Sequence, residues 1–263
     1  MNNLHRFLTP LTALSGILTT GVASASLVAW YPLDSDALDA SGNGHHGAVV
    51  GGTVNFGQAG ANANTVSSAA FPDNGHITVP YSAALNSSTF TVTMWVNTTS
   101  TAGFTSPLTS RDDVPNPGGS THGYILYNDV GGNWNFWNGT GAGSGTWDQL
   151  VGGGVSINTW THIAMTYDGG TSTKTIWING VNAGSKTVGH SVNGPQTEDL
   201  HIGSGSDAGT NFYFSGNIDD VTIWDEALDQ AAIQSIMIDS VPEPTSTLLL
   251  GLGLISVAFR RNR

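Results

Sequence analysis

The stretch TFTVTMWVN alternates apolar and polar side chains, the period-two pattern of a half-buried strand. Phe90, Val92, Met94 and Val96 share one face, and Thr91, Thr93 and Trp95 share the other. In THIAMTYDGG the residues Ile163, Met165 and Tyr167 alternate with His162, Ala164 and Thr166. TKTIWINGV follows a turn-rich DGGTS connector, so the two runs read as a hairpin. Asn179-Gly180 is a second turn signal, because both residue types tolerate positive φ. YILYNDVGGNWNFWNG reads as another hairpin turning over residues 129–132, and HITVP, LHIGSG and FYFSGNIDDVTIWD supply further strands. Helical spacing is confined to ALDQAAIQSIMID. Many short strands, frequent turns and one short helix near the end of the body predict an all-β chain. Its expected form is a two-sheet antiparallel jelly-roll β-sandwich. No internal repeat of solenoid length interrupts that reading.

The two ends differ from the body. Arg6 precedes an apolar run over residues 7–22, and Ala23-Ser24-Ala25 supplies an A-x-A cleavage site. Residues 1–25 therefore read as a secretory signal peptide, with cleavage before Ser26. The chain closes on VPEPTSTLLLGLGLISVAFRRNR. Its apolar run, residues 247–259, spans thirteen residues, about 20 Å as a helix. That is short against a hydrocarbon core about 30 Å thick. Arg260, Arg261 and Arg263 follow directly and would stay on the cytoplasmic side. A hydrophobic halt with a basic stop suits a removable sorting signal better than a lasting anchor.

Between these ends lies one expected domain, residues 26–240, with the sorting segment at 241–263. The body holds three basic residues, Arg111, Lys174 and Lys186, and all of the 19 acidic residues except Glu243. Such a surface repels phosphate backbones, which argues against nucleic-acid binding. With no cysteine, disulfides, thiolate zinc sites and cysteine nucleophiles are excluded.

Three segments carry a family resemblance. LVAWYPLDSDALDASGNGHHGAVVGG resembles the opening of laminin G-like jelly-roll domains of the concanavalin A-like lectin/glucanase superfamily. WTHIAMTYDGGTSTKTIWINGV is similar to that family's central hairpin, and SGNIDDVTIWDEALDQAAIQSI to its closing strand and terminal helix. The resemblance implies two curved sheets of about six or seven strands each, with the first and last strands adjacent. At the end of the chain, Pro242-Glu243-Pro244, the apolar run and the arginines resemble the PEP-CTERM signal of Gram-negative bacteria. That resemblance implies transient tethering in the inner membrane and processing by an exosortase-type enzyme.

The family often holds a structural calcium ion, which takes six to eight oxygens. Asp34, Asp36, Asp39 and Asn43 offer oxygens on one turn, and the resemblance sets Asp219 and Asp220 beside them. Strand alternation sends those two side chains to opposite faces, with Asp220 paired in phase with Ile218. The expected ligand set is Asp34, Asp39, Asn43 and Asp220.

Catalysis would need a suitably spaced carboxylate pair. Retaining glycosidases need two carboxyl groups about 5–5.5 Å apart. The family's glucanases carry theirs as Glu-x-Asp-x-x-Glu, which none of Glu198, Glu226 and Glu243 begins. Asp112-Asp113 and Glu198-Asp199 are adjacent rather than alternate pairs. The histidines show no repeated metal-ligand spacing. Aromatics point better to a ligand: Trp134 and Phe136 alternate as core residues, whereas Trp137 is out of phase and Trp147 falls in a glycine-rich segment. Trp137 and Trp147 are the candidates to stack on sugar rings.

The expectation is thus an exported, non-catalytic binding or adhesion protein, delivered to the cell surface or matrix, with polysaccharide as its partner. A structural exopolysaccharide-matrix protein and a divergent glycan hydrolase or lyase are the alternatives.

Overall fold

Phe90, Val92, Met94 and Val96 all lie in the core, as their alternation requires, together with Ile163, Met165 and Tyr167. The computed structural model describes residues 25–111, 121–143, 146–194, 196–205 and 211–240. Its strands in chain order are β1 (Leu27–Tyr31), β2 (Ala48–Val50), β3 (Asn55–Ala59), β4 (Ser67–Phe71), β5 (His76–Val79), β6 (Phe90–Thr98), β7 (Thr105–Arg111) and β8 (Gly123–Asn128). They continue as β9 (Asn133–Gly139), β10 (Trp147–Gly154), β11 (Thr161–Asp168), β12 (Thr173–Ile178), β13 (Val181–Thr187), β14 (Leu200–Ile202) and β15 (Gly216–Trp224), before helix α1 (Gln230–Asp239).

Among the described residues the strands form two antiparallel sheets. One has eight strands in the order β13-β12-β11-β6-β15-β4-β3, with β1 also paired to β15; the other has seven in the order β10-β9-β8-β7-β14-β5-β2. Side chains from both inner faces fill a single core, the packing that drives a sandwich together. The eight-stranded sheet is one strand larger than the resemblance implied.

The expected hairpins form. Asn179 (φ 49°) and Gly180 (φ 71°) turn β12 into β13. Asp129 Oδ1 accepts the N–H groups of Gly131 (2.8 Å) and Asn133 (2.9 Å), closing the turn between β8 and β9. Asp229 caps α1 by accepting from the Ala232 N–H at 2.9 Å, and Ile233 is the helix residue fully buried against the body.

One expectation about β15 is corrected. Its N-terminal half pairs with β4 and its C-terminal half with β1, and the register against β6 shifts between Asp219 and Thr222. Asp220 takes φ 53° there. This bulge breaks the alternation, so Ile218 and Val221 both enter the core. Asp219 and Asp220 are both buried, and simple period-two phasing does not describe them.

Candidate functional site

In the seven-stranded sheet, Tyr124 and Leu126 of β8 and Trp134 and Phe136 of β9 face the core. Alternation therefore turns Tyr127, Asn135 and Trp137 to the outer face. Register sets Trp137 opposite Ile125 on one side and Gln149 on the other. Trp147 and Gln149 of β10 share a parity and a face. Together with Phe104 before β7, Arg111 at its end and Phe212 before β15, the side chains of Tyr127, Trp137 and Trp147 line an open recess of about 240 Å³.

The rings meet edge to face. Tyr127 and Trp137 are 5.5 Å apart at 82°, Phe104 and Tyr127 5.2 Å at 70°, and Tyr127 and Phe212 5.4 Å at 86°. This is the quadrupole-favoured arrangement, worth about 0.5–1.5 kcal/mol per pair beyond buried area. It also sets the rings as walls rather than as a collapsed stack. The Arg111 guanidinium lies 4.8 Å from the Trp147 ring and 5.6 Å from Tyr127, a cation–π contact that fixes both. Beside the rings runs a chain of amides. Gln149 Nε2 donates to Asn135 Oδ1 at 2.6 Å, and Asn135 Nδ2 donates to Asp129 Oδ2 at 2.8 Å. Gln149 is exposed and free to offer its carbonyl outward. Flat apolar surface with an exposed amide, Gln149, beside it is suited to a ligand with both C–H faces and hydroxyls.

The two tryptophans expected to face outward thus meet in one recess. Trp147, at the end of its glycine-rich segment, begins β10. Phe104, Arg111 and Phe212 were not foreseen as its partners, since they come from segments distant in the chain. Asp112, Asp113, Pro242, Glu243, Pro244, Arg260 and Arg261 lie outside the described residues. Asp199 Oδ1 accepts the Tyr81 N–H at 2.8 Å.

The expected calcium ligands separate into two places. Asp34 and Asp220 line a second recess of about 230 Å³ with Trp30, Asn64 and Asp239. Asp34 Oδ1 already accepts the N–H and hydroxyl of Ser67, each at 2.8 Å. Asp220 accepts from the Trp30 indole N–H and, at 2.6 Å, from the Ser240 hydroxyl. Asp39 turns instead to main chain, accepting from Trp30 (3.0 Å), Ser41 (2.8 Å) and His45 (2.9 Å). Burial opposes its charge, but these N–H bonds outweigh burial and hold its pKa below the ordinary carboxylate value. Asn43 donates Nδ2 to the carbonyls of Leu27 and Val28, both at 2.9 Å, so it ties the turn to β1. Among the described residues no group of three or more His, Asp or Glu side chains is placed to hold a metal ion. The four expected ligands do not form one cage: Asp34 and Asp220 share a recess, whereas Asp39 and Asn43 bond to main chain away from it. Chelation with EDTA should therefore leave the melting midpoint unchanged. A drop of several degrees, reversed by added calcium, would contradict this arrangement.

Asp219 is sealed from solvent, with its Oδ2 on the Ala61 N–H at 2.8 Å. Burial pushes its pKa up to about 7, and burial raises that of Asp220 as well.

The family model for the concanavalin A-like lectin/glucanases superfamily matches residues 71–234. The chain belongs to this superfamily. Residues 240–263 match the PEP-CTERM protein-sorting motif, a signal that implies export and exosortase-dependent processing in Gram-negative bacteria. No curated protein matches the chain. Among solved structures, domain 4 of AbnA, a GH43 extracellular arabinanase from Geobacillus stearothermophilus in complex with arabinotriose, is similar at TM-score 0.63 and 23% identity. That match covers 81% of this superfamily member and 98% of the arabinanase domain. The Ruminococcus gnavus IT-sialidase CBM40 bound to α2,3-sialyllactose matches at TM-score 0.52 and 13% identity, over 64% of this chain and 95% of that one. The binding domain of Paraclostridial Mosquitocidal Protein 1 matches at TM-score 0.60 and 17% identity, over 80% of this chain and 51% of its own. At these identities the likeness is one of fold.

Proposed function

We propose that this is an exported, non-catalytic polysaccharide-binding protein, delivered to the cell surface or extracellular matrix, that holds glycan in the aromatic recess on the outer face of its seven-stranded sheet. The observation that carries the reading is the convergence of Trp137 and Trp147 with Phe104, Tyr127 and Phe212 around one open recess, with exposed Gln149 as the register neighbour of Trp137. Its volume is below the about 300–1,000 Å³ of drug-type pockets, a scale suited to one sugar unit of a longer chain. Two of the similar structures carry an oligosaccharide in complex, which supports the choice of ligand class. In affinity gel electrophoresis against a panel of neutral and acidic polysaccharides, migration should be retarded by at least one. Unaltered mobility in every gel would remove the glycan assignment.

Delivery follows from the tail. The matched sorting motif begins at Ser240, whose hydroxyl is held by Asp220 at the exit of α1. The folded body thus passes directly into the motif. Mass spectrometry of the mature, released protein should show the segment bearing Arg260 and Arg261 removed. Released protein that still ends at Arg263 would contradict that route.

A further inference from the structure

Lys174 of β12 is 0% exposed, a rare position for an ammonium group. It reaches from the eight-stranded sheet across to the seven-stranded one. Its Nζ is 2.6 Å from Asn138 Oδ1 and 2.7 Å from Asp148 Oδ1. The carbonyl oxygens of Asp148 (3.0 Å) and Phe136 (3.2 Å) complete the shell, and the Phe136 ring lies 5.1 Å away. Four oxygens thus surround a nitrogen that has three protons to give. Asn138 is also 0% exposed. Its Nδ2 donates to Gly139 O at 2.9 Å and lies 2.7 Å from His190 Nε2. Lys186 reaches the other oxygen of Asp148 at 2.6 Å.

Each partner has a chemical role available. A buried amine in contact with a carboxylate can lose its proton to it. A buried amide carbonyl one bond from the contacted oxygen is an electrophile held in place, and such positioning replaces a bimolecular encounter. A histidine beside the amide nitrogen can receive or supply a proton as that nitrogen departs. Burial lowers the Lys174 pKa to about 8 although Asp148 opposes the change, so the neutral amine is within reach. The titratable groups facing this nitrogen are Asp148, Lys186 and His190.

We propose that Lys174 and Asn138 join in an intramolecular isopeptide bond that staples β12 of one sheet to β9 of the other. Asp148 takes a proton from the Lys174 ammonium, and the freed Nζ lone pair attacks Asn138 Cγ. The tetrahedral adduct expels Nδ2, which leaves with protons passed through Asp148 and His190. Overall the lysine ammonium and the asparagine amide become a secondary amide and an ammonium ion. No oxidant, metal or cofactor enters the balance. The bond closes a loop across the edge of the sandwich, a use suited to an exported protein that has no cysteine.

The trypsin digest of denatured full-length protein reads this directly, because the body contains only Arg111, Lys174 and Lys186 as cleavage sites. A linked Lys174 resists cleavage, so residues 112–186 should appear as one peptide, lighter than its sequence mass by about 17 Da, one ammonia. Asp148→Asn should restore cleavage at Lys174 and the full mass, and a linked Asp148→Asn digest would overturn the role given to Asp148. Should that variant not fold, the wild-type digest decides alone. Separate peptides 112–174 and 175–186 at unmodified mass would overturn the proposal. So would loss of ammonia with Lys174 still cleaved, because that marks cyclisation at Asn138-Gly139 instead.

Discussion

Asp219→Asn should make the protein more stable than its parent at pH 8, by up to about 4 kcal/mol, with the advantage fading towards about pH 4. Burial is the main cause, and it pushes the folded pKa of Asp219 up to about 7. A raised carboxyl favours folding only while protonated. Its contribution is complete below the unfolded value of 3.8 and is lost as pH rises through about 7. His162 acts in the opposite sense. Burial pushes it down to about 3, so below its unfolded value the unfolded chain takes up a proton that the folded chain refuses. Stability from His162 is present above that value and falls with acid by about 1.4 kcal/mol per pH unit. Between about pH 4 and 6.5 the two slopes have equal size and opposite sign. Smaller contributions of the same two kinds come from His190 and His201, lowered by burial, and from Asp220, raised by it. Relative to the parent, Asp219→Asn should lose stability faster on acidification, His162→Gln should gain it, and the double variant should return to the parent slope. Urea unfolding across pH 4–8 reads all four proteins. Parallel curves would contradict the assigned burial of both groups.

Trp137→Ala should weaken polysaccharide binding roughly 30-fold, the equivalent of about 2 kcal/mol for a central aromatic anchor. Trp137 meets two recess rings edge to face, so its removal opens the wall as well as deleting contact surface. Trp147→Ala should cost less, roughly 10-fold, because the Arg111 guanidinium already stands 4.8 Å from its ring. Trp177 lies on the eight-stranded sheet, its indole N–H on Thr166 Oγ1 at 3.1 Å. Trp177→Ala should leave binding unchanged. Calorimetric titration with the retained polysaccharide separates these cases, and equal losses in all three variants would show that the effect is on folding.

The sandwich was legible wherever side-chain period and turn chemistry agreed. β6 and β11 alternate without a break, and Asn179-Gly180 needs the positive φ it adopts. The phase difference between Trp137 and the pair Trp134 and Phe136 also pointed correctly to an outer face. β15 was misread because a bulge at Asp219 and Asp220 resets the period, and no local composition signals it. The surroundings of the expected calcium ligands were not legible either: Asp39 accepts main-chain N–H groups of Trp30, Ser41 and His45, and Asn43 spends its amide N–H groups on the carbonyls of Leu27 and Val28. Phe104 and Phe212 were invisible as recess walls, since only tertiary folding brings them to Tyr127. Lys174 was a different omission. The period that turns Ile176 inward also turns Lys174 inward, and that was readable in TKTIWI.

The central claim is that glycan meets the outer face of the seven-stranded sheet at Trp137 and Trp147. Indole N–H signals of the ¹⁵N-labelled protein test it during titration with an oligosaccharide of the retained polymer. The signals of Trp137 and Trp147 should move progressively to saturation, while those of Trp30, Trp134 and Trp177 stay in place. Movement of Trp177 with Trp137 and Trp147 unchanged would put the ligand on the other sheet and contradict the account.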